Sequence, residues 1–407
     1  MNESDNKKMK IVLVTTGQPS VNPRIVKEAD ALSCAGYDVT IMYCHWITWA
    51  DESDKAIIEN AKWKAILVGG SPTKQRTKFY YTKLRFKICR FLNKRNIRKF
   101  LVPEKAQARC YTELLKVASS IKADIFIGHN LGALPVVVNA AAAQKVKCGF
   151  DFEDYHRGEV KQMNDADAAR IKYLEYKYLP SCNYISFASP LIAERQMLHF
   201  PKFRRPAIVI NNCFPLSSKA PAIKSDGTLN LFWFSQTVGT DRGLVTVLLA
   251  MKLLKNTKIS LTLVGNIGNE TLMDFQNILR ELSAQLIIKG VVSPAEIDKL
   301  AAQADVGLAM EQSIPINRDI CLTNKVFTYL SAGLAIVFTD TSAQKEFNTL
   351  YQVGQIYEQG NVEALAKCLQ EYLNSQKLYQ QKLNNWQLAK DTLNWQQESK
   401  KLLKILN

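Results

Sequence analysis

The chain has 407 residues, 47% of them apolar and 22% charged, enough for two cores and too apolar for long disorder. Its nine cysteines are odd in number, scattered and without a Cys-x-x-Cys pair, which excludes a disulfide framework and a zinc site as first readings and points to reduced thiols in a cytosol. The net charge of +16 is uneven, with 34 Lys and Arg against 20 Asp and Glu in residues 1–210 and 19 against 17 in the remainder, so the first half should face something anionic: a membrane leaflet, a nucleic acid or a polyanionic substrate.

The opening residues lack the apolar core of a signal peptide. No apolar run is long enough to span a bilayer; the best, Leu131 to Ala143, is short and contains Pro135 and Asn139. Lys10 to Thr15 reads as a buried strand, residues 16–23 as a turn-rich loop, Arg24 to Ala35 as a helix and Tyr37 to Tyr43 as a second strand. In such a βαβ unit ligands bind beyond the C-terminal strand ends. Gly17 is the loop's only glycine, so the dinucleotide fingerprint is absent. Asn22, Arg24 and Lys27 can face a ligand there, although Arg24 can equally pair with a neighbouring acid.

Residues 74–99 carry eleven basic residues and no acidic one, with aromatics interleaved. On a helical wheel Tyr80, Leu84, Ile88 and Phe91 form one stripe and Lys83, Lys87, Arg90 and Lys94 an adjacent one, the pattern of a helix lying in a membrane interface. Its alternatives are a solvated helix with the apolar stripe packed inward and an RNA-binding strip.

Ala123 to Gly128 and Lys147 to Phe152 read as further strands around a helix, Leu131 to Gln144. They end in polar clusters, one with His129 and one with Asp151, Glu153, Asp154, His156 and Glu159. Glu153, Asp154, His156 and His129 are the chain's best acid/base candidates. An Asp151-x-Glu153 metal site is a weak signal and no metal is expected. Strands at Cys182 to Ala188 and Pro206 to Asn212 complete a first domain, residues 1–212. A Pro-, Ser- and Lys-rich linker follows at 213–228.

The second domain, residues 229–385, restarts the plan with strands at Leu229 to Ser235, Ile259 to Val264, Gln285 to Lys289, Asp305 to Met310 and Leu334 to Phe338. Arg242 stands at a helix start beside Gly239 and Gly243. Around a short helix, Thr323 should cap the start, Lys325 and Arg318 meet the positive end of the dipole, and Gly333 closes the end. That helix start suits a phosphate.

Several motifs carry a family resemblance: Asn22-Pro23-Arg24 with Lys27, Glu28, Ala29, Leu32 and Gly36; Arg242-Gly243; Val264-Gly265-Asn266; Gly290-Val291; and Thr323-Asn324-Lys325 with Tyr329 to Gly333. Together they resemble a GT-B glycosyltransferase of the large family-four retaining type, the last set being similar to that family's N-K-x-x-E-Y-x-x-x-G. The resemblance implies an α/β chain of two Rossmann-like doubly wound domains facing across a cleft. The nucleotide sugar would bind the second domain, the acceptor the first, and a C-terminal helix in residues 386–407 would cross back to the first domain. It implies a donor set of Gln236, Gly239, Arg242, Gly265, Asn266, Val291, Arg318, Thr323, Asn324, Lys325 and Thr328, an acceptor side with Asn22, Arg24 and Lys27, retention of anomeric configuration, and no cofactor beyond the donor.

Three positions depart from the family pattern. Thr328 replaces the acid that holds the ribose, with Ile320 eight residues earlier. Ser235-Gln236 stands for Gly-Arg. Asp151-Phe152-Glu153-Asp154 stands for D-x-H-E, with His156 slightly later. The expected activity is transfer of a sugar to a lipid-linked or polysaccharide acceptor at the inner face of the cell membrane, in cell-surface polysaccharide synthesis, by a peripheral cytoplasmic protein that binds anionic lipid through residues 74–99 and no nucleic acid. The rival readings are a nucleotide-sugar epimerase on the same fold and a non-catalytic membrane- or RNA-binding scaffold.

Overall fold

The computed structural model describes residues 8–216, 219–222, 227–254, 258–280 and 285–406. The chain divides into two compact units, one of Met1–Ile210 with Ser399–Asn407 and the other of Asn211–Glu398. The linker expected at 213–228 thus groups with the second unit, and its residues 217–218 and 223–226 lie outside the described residues. The helix Trp395–Leu406 passes from one grouping to the other at Ser399.

The first unit holds seven strands: β1 (Lys10–Thr15), β2 (Asp38–Cys44), β3 (Lys64–Val68), β4 (Ile125–His129), β5 (Lys147–Phe152), β6 (Tyr184–Phe187) and β7 (Ala207–Val209). They form one sheet in the order β3-β2-β1-β4-β5-β6-β7. The second holds β8 (Leu229–Val238), β9 (Ile259–Ile267), β10 (Gln285–Lys289), β11 (Val306–Ala309), β12 (Ala335–Thr339) and β13 (Gly354–Tyr357), in the order β10-β9-β8-β11-β12-β13. All pairings are parallel. Parallel strands covered by helices on both faces need near-continuous apolar runs, and β1, β4, β11 and β12 supply them: Ile11, Leu13, Ile127, Val306, Leu308 and Val337 have no exposed surface. Each sheet reverses its strand order at one point, β1/β4 and β8/β11, where such sheets bind ligands beyond the strand ends.

Two local features set the second sheet. A Cβ at Gly307 would lie 2.2 Å from the ring of Tyr329, so β11 has room only for glycine beneath that aromatic. Gly333, with φ +66°, ends the helix Asn324–Ser331, and Leu334 N donates back to Tyr329 O at 3.0 Å, the left-handed closure the sequence predicts. The strand pair β8–β9 runs past the predicted ends Ser235 and Val264, with an irregularity between Phe234 and Thr237. Gln236, expected in a loop, therefore lies within β8.

The helix Arg76–Lys94 buries Phe79, Thr82, Cys89 and Asn93. The apolar stripe of Tyr80, Leu84, Ile88 and Phe91 is not the packed face; each residue is at least half exposed.

Candidate functional site

In the second unit the site is built at the ends of β8 and β11. Lys325, in the first turn of the helix Asn324–Ser331, donates to Glu311 Oε1 at 2.7 Å, and its ammonium stands 5.6 Å from the centre of the Trp233 ring. Thr323 occupies the helix-cap position but does not cap; its hydroxyl donates to the same Glu311 oxygen at 3.1 Å. Thr323 makes no side-chain bond to this helix start, and the N–H groups of the first turn keep their positive field. Burial pushes the Glu311 carboxyl up, but Lys325 beside it, with Thr323 and Arg318, outweighs burial and holds it below the ordinary carboxylate range.

Gly243, with φ +74°, leads from a short turn, Thr240–Arg242, into the helix Leu244–Leu253. A Cβ there would meet Gln312 Nε2 at 2.9 Å and Met310 Cβ at 3.6 Å. The Arg242 turn is therefore pressed against the residues on either side of Glu311. Arg242 is about a quarter exposed, and its nearest ion-pair partner is Asp241 at 3.7 Å. The result is a two-cation set, Arg242 and Lys325, beside an uncapped helix start. Such a set is suited to a diphosphate.

In the first unit β1, β4 and β5 align Thr15 with His129 and His129 with Asp151. Arg24 is fully buried: Nε and Nη2 donate to the two Asp151 oxygens at 2.6 and 2.8 Å, and Nη1 to Ile210 O at 2.7 Å. Its expected place on the acceptor side is corrected: a guanidinium satisfied on three sides inside the protein has nothing left for a ligand. His129, also buried, points Nδ1 at Glu153 Oε1 (3.0 Å) and Nε2 at Glu28 Oε2 (3.2 Å). Burial opposes its charge, but Glu28, Glu153 and Asp151 outweigh burial and push it up to about 10. A histidine held as imidazolium is no proton acceptor at neutral pH, and the three carboxylates around His129 favour that form. Asn22 caps the helix Pro23–Cys34 through Ile25 N and donates to Glu153 Oε1 at 2.7 Å. Lys27 is partly exposed on that helix.

His156 belongs to another set of contacts. Its Nδ1 pairs with Glu159 and its ring packs on Phe152 at 5.5 Å. Burial lowers its pKa, and Glu159, with Glu175 and Asp154, raises it further, to about 8. Asp154 is partly exposed. Glu28, His129 and Asp151 also place three ligand-type atoms within 4.8 Å of one another. A divalent ion fits poorly there, because Arg24 and the Ser186 hydroxyl already take the Asp151 oxygens.

Residues 218–387 match the family model of glycosyl transferases group 1. This chain carries a group 1 glycosyl transferase domain. Its whole fold is that of GT-B glycosyltransferases. HepE of Anabaena, solved with UDP and glucose, is 14% identical with a TM-score of 0.69, over 98% of this chain and 99% of that one. Sucrose-phosphate synthase of Thermosynechococcus elongatus is 12% identical with a TM-score of 0.69, over 98% of each chain. The lipopolysaccharide outer core galactosyltransferase WaaB, in apo form, is 13% identical with a TM-score of 0.61, over 98% of this chain and 99% of that one. No curated protein sequence matches the chain. At the level of class, the matched segment, residues 218–387, is a group 1 glycosyl transferase domain.

Within the glycosyl transferase domain the remaining predicted donor residues scatter. Gly239 leads into the Arg242 turn. Gly265, with φ +142°, has room for no side chain, since a Cβ would lie 2.3 Å from Ser235 O. Asn324 Oδ1 accepts from Asn212 at 2.6 Å. Gln236, Asn266 and Val291 are exposed, and Arg318 is half-buried. Thr328 is buried in its helix, with its carbonyl taken by Ala332 N and the Ser331 hydroxyl. The carboxylate beside Lys325 and Thr323 is Glu311. Glu311 and Glu28 are absent from the sequence-based site, although Glu311 closes a strand in the position where doubly wound units place ligand groups.

Proposed function

We propose that this glycosyltransferase takes a sugar from a nucleoside diphosphate sugar, retains its anomeric configuration, and passes it to a lipid-linked or polysaccharide acceptor in cell-surface polysaccharide synthesis. The observation that carries the donor half is that Lys325 meets Glu311 while the Arg242 turn packs on Met310 and Gln312 through Gly243, beside an uncapped helix start in a group 1 domain. As the bond to the diphosphate breaks, negative charge grows on its oxygens, and fixed cations and N–H groups stabilise that charge without having to reorganise. The complex of HepE with UDP and glucose supports a uridine nucleotide as the first donor to try.

The membrane half rests on the helix Arg76–Lys94 and its surroundings. Tyr80, Tyr81, Leu84, Ile88 and Phe91 are exposed, and nearby Phe100 is 83% exposed on a left-handed backbone. Arg85 is tied to Glu113 and Arg90 to Asp167. Lys74, Arg76, Lys78, Lys83, Lys87, Lys94, Arg95, Arg98 and Lys99 are exposed. Six such groups near an anionic surface would give on the order of 6 kcal/mol. Trp46 and Trp49 extend the aromatic surface. Their loop is joined to the start of this helix by Arg109, which donates to His45 O at 3.0 Å and lies over the Phe79 ring. Among the described residues no helix is long and apolar enough to cross a membrane. The reading is therefore a peripheral protein at the inner face of the membrane.

The test is nucleotide release from a panel of nucleotide sugars, with vesicles of bacterial lipid extract as acceptor source. Flotation on phosphatidylcholine vesicles with and without phosphatidylglycerol, over a salt series, tests the membrane half. Release with no donor sinks the first half. Equal flotation with both lipids sinks the second.

A further inference from the structure

We infer that Asn212 is a positioning residue of the donor site: by taking Asn324 Oδ1 it leaves the amide N–H groups of Asn324 to the diphosphate. The inference rests on the donor reading above. Asn212, Asn324 and Lys325 all belong to the second unit.

The first observation is the state of the helix start. Asn324 is the first residue of the helix Asn324–Ser331 and precedes Lys325. By position, the backbone N–H groups of these two residues have no partner within the helix. Val326 N donates to Thr323 O at 3.2 Å, and the Thr323 hydroxyl is turned to Glu311. The donors gathered at this end are therefore two backbone N–H groups, the Lys325 ammonium and the Asn324 side chain.

The second observation decides which way that side chain faces. The two ends of an amide are alike in shape and opposite in polarity, so the partner selects the orientation. Asn212 Nδ2 donates to Asn324 Oδ1 at 2.6 Å. Turning the Asn324 amide over would set two N–H groups against each other at that distance. Oδ1, the end that would repel a phosphate, is thus occupied. Among the described residues nothing accepts from Asn324 Nδ2, and the residue is half-buried, so that this end stays open to a ligand.

The third observation is that the backbone around Asn212 is tied down. Ile210 O accepts from Arg24 Nη1 at 2.7 Å. Asn211 N and Nδ2 donate to the two Glu398 oxygens at 2.9 and 3.3 Å. Phe214 O accepts from Trp395 N at 3.3 Å. A donor on a fixed backbone fixes the group it bonds. A neutral donor held in this way adds to the two cations, Arg242 and Lys325, without reorganising when the diphosphate binds.

The experiment is a double-variant cycle read by binding, without turnover. UDP, ADP and GDP are titrated calorimetrically into the full chain. The tightest of the three is carried through Asn212→Ala, Asn324→Ala and the double variant, with a thermal melt of each protein free of ligand. Asn324→Ala should raise Kd about tenfold, as loss of one hydrogen bond to a charged group does. Asn212→Ala should raise it about three- to tenfold, because the amide is then free to turn. The double variant should bind no more weakly than Asn324→Ala, since Asn212 acts only through Asn324. Asn212→Ser, with its shorter side chain, gives the same cycle if the alanine variant does not fold. An unchanged Kd in Asn212→Ala, whatever its melting temperature, marks a structural contact and overturns the inference. Losses that multiply in the double variant overturn it too. So does tighter binding in either single variant, which would mean that Asn324 turns its oxygen to the ligand. A wild type that binds none of the three nucleotides defeats the donor reading and the inference together, whereas a wild type that binds beside an indifferent Asn212→Ala defeats the inference alone.

Discussion

Lys325, partly buried, pairs with the buried Glu311, Nζ to Oε1 at 2.7 Å, with the Trp233 ring beneath the ammonium. The pair alters what a single substitution means. Lys325→Ala removes a diphosphate cation and also leaves a buried carboxylate without its partner, which costs about 3–5 kcal/mol. Turnover should vanish and the urea midpoint should fall. The double variant Lys325→Met with Glu311→Gln removes both charges. It should recover most of the stability and none of the turnover. Turnover in the double variant would remove Lys325 from the donor site.

Arg242 offers the cleaner test of the same site. It is partly exposed and loosely paired with Asp241, so Arg242→Ala should move the melting temperature little, within about 0.5 kcal/mol of stability. Nucleotide release should fall about 100-fold or more, in line with removal of one preorganised charge from a developing anion. Donor titration and a thermal melt on the same preparation separate the two effects.

The fold was legible because parallel strands buried on both faces must be written as apolar runs, and β1, β4 and β12 are. The edge strands β3 and β13 were not marked. They are only partly buried, so their sequences need not carry the strong pattern. At the site, Lys325 and Arg242 could be read from their places at helix starts. Arg24, Glu28 and Glu311 could not. Nothing in a local sequence says that an arginine in one helix meets an aspartate 127 residues later, or that Thr323 gives up its cap for a carboxylate just beyond the end of β11. The charged stripe of residues 74–99 was legible, but which of its faces packs depended on Glu113, Asp167 and Arg109, all distant in the chain.

Arg24 leads to a stability prediction. Its bidentate bond to Asp151 is among the best-formed buried ion pairs described. Arg24→Met keeps the volume and leaves Asp151 charged beside Ser186 alone among its hydrogen-bond donors. The expected loss is about 3–5 kcal/mol in chemical denaturation. A ligand role would instead leave stability intact and raise an acceptor KM.

His129 fixes the direction of the pH dependence. Its folded value is pushed up to about 10, from 6.5. Below 6.5 both folded and unfolded chains hold the proton, and the contribution to stability is complete. Between 6.5 and 10 the unfolded chain has released a proton that the folded chain keeps, so raising the pH favours unfolding, by up to about 1.4 kcal/mol per unit. His156, raised to about 8, acts in the same direction over the first part of that window. The buried tyrosines, such as Tyr178, shift from 10.0 upward and act only at higher pH. Urea midpoints should therefore fall steadily from pH 7 to 9 in the wild type. The fall should be shallower in Glu28→Gln, where His129 has lost its first carboxylate and binds its proton less tightly. Equal slopes in the two proteins would show that the charge on His129 is not maintained by Glu28.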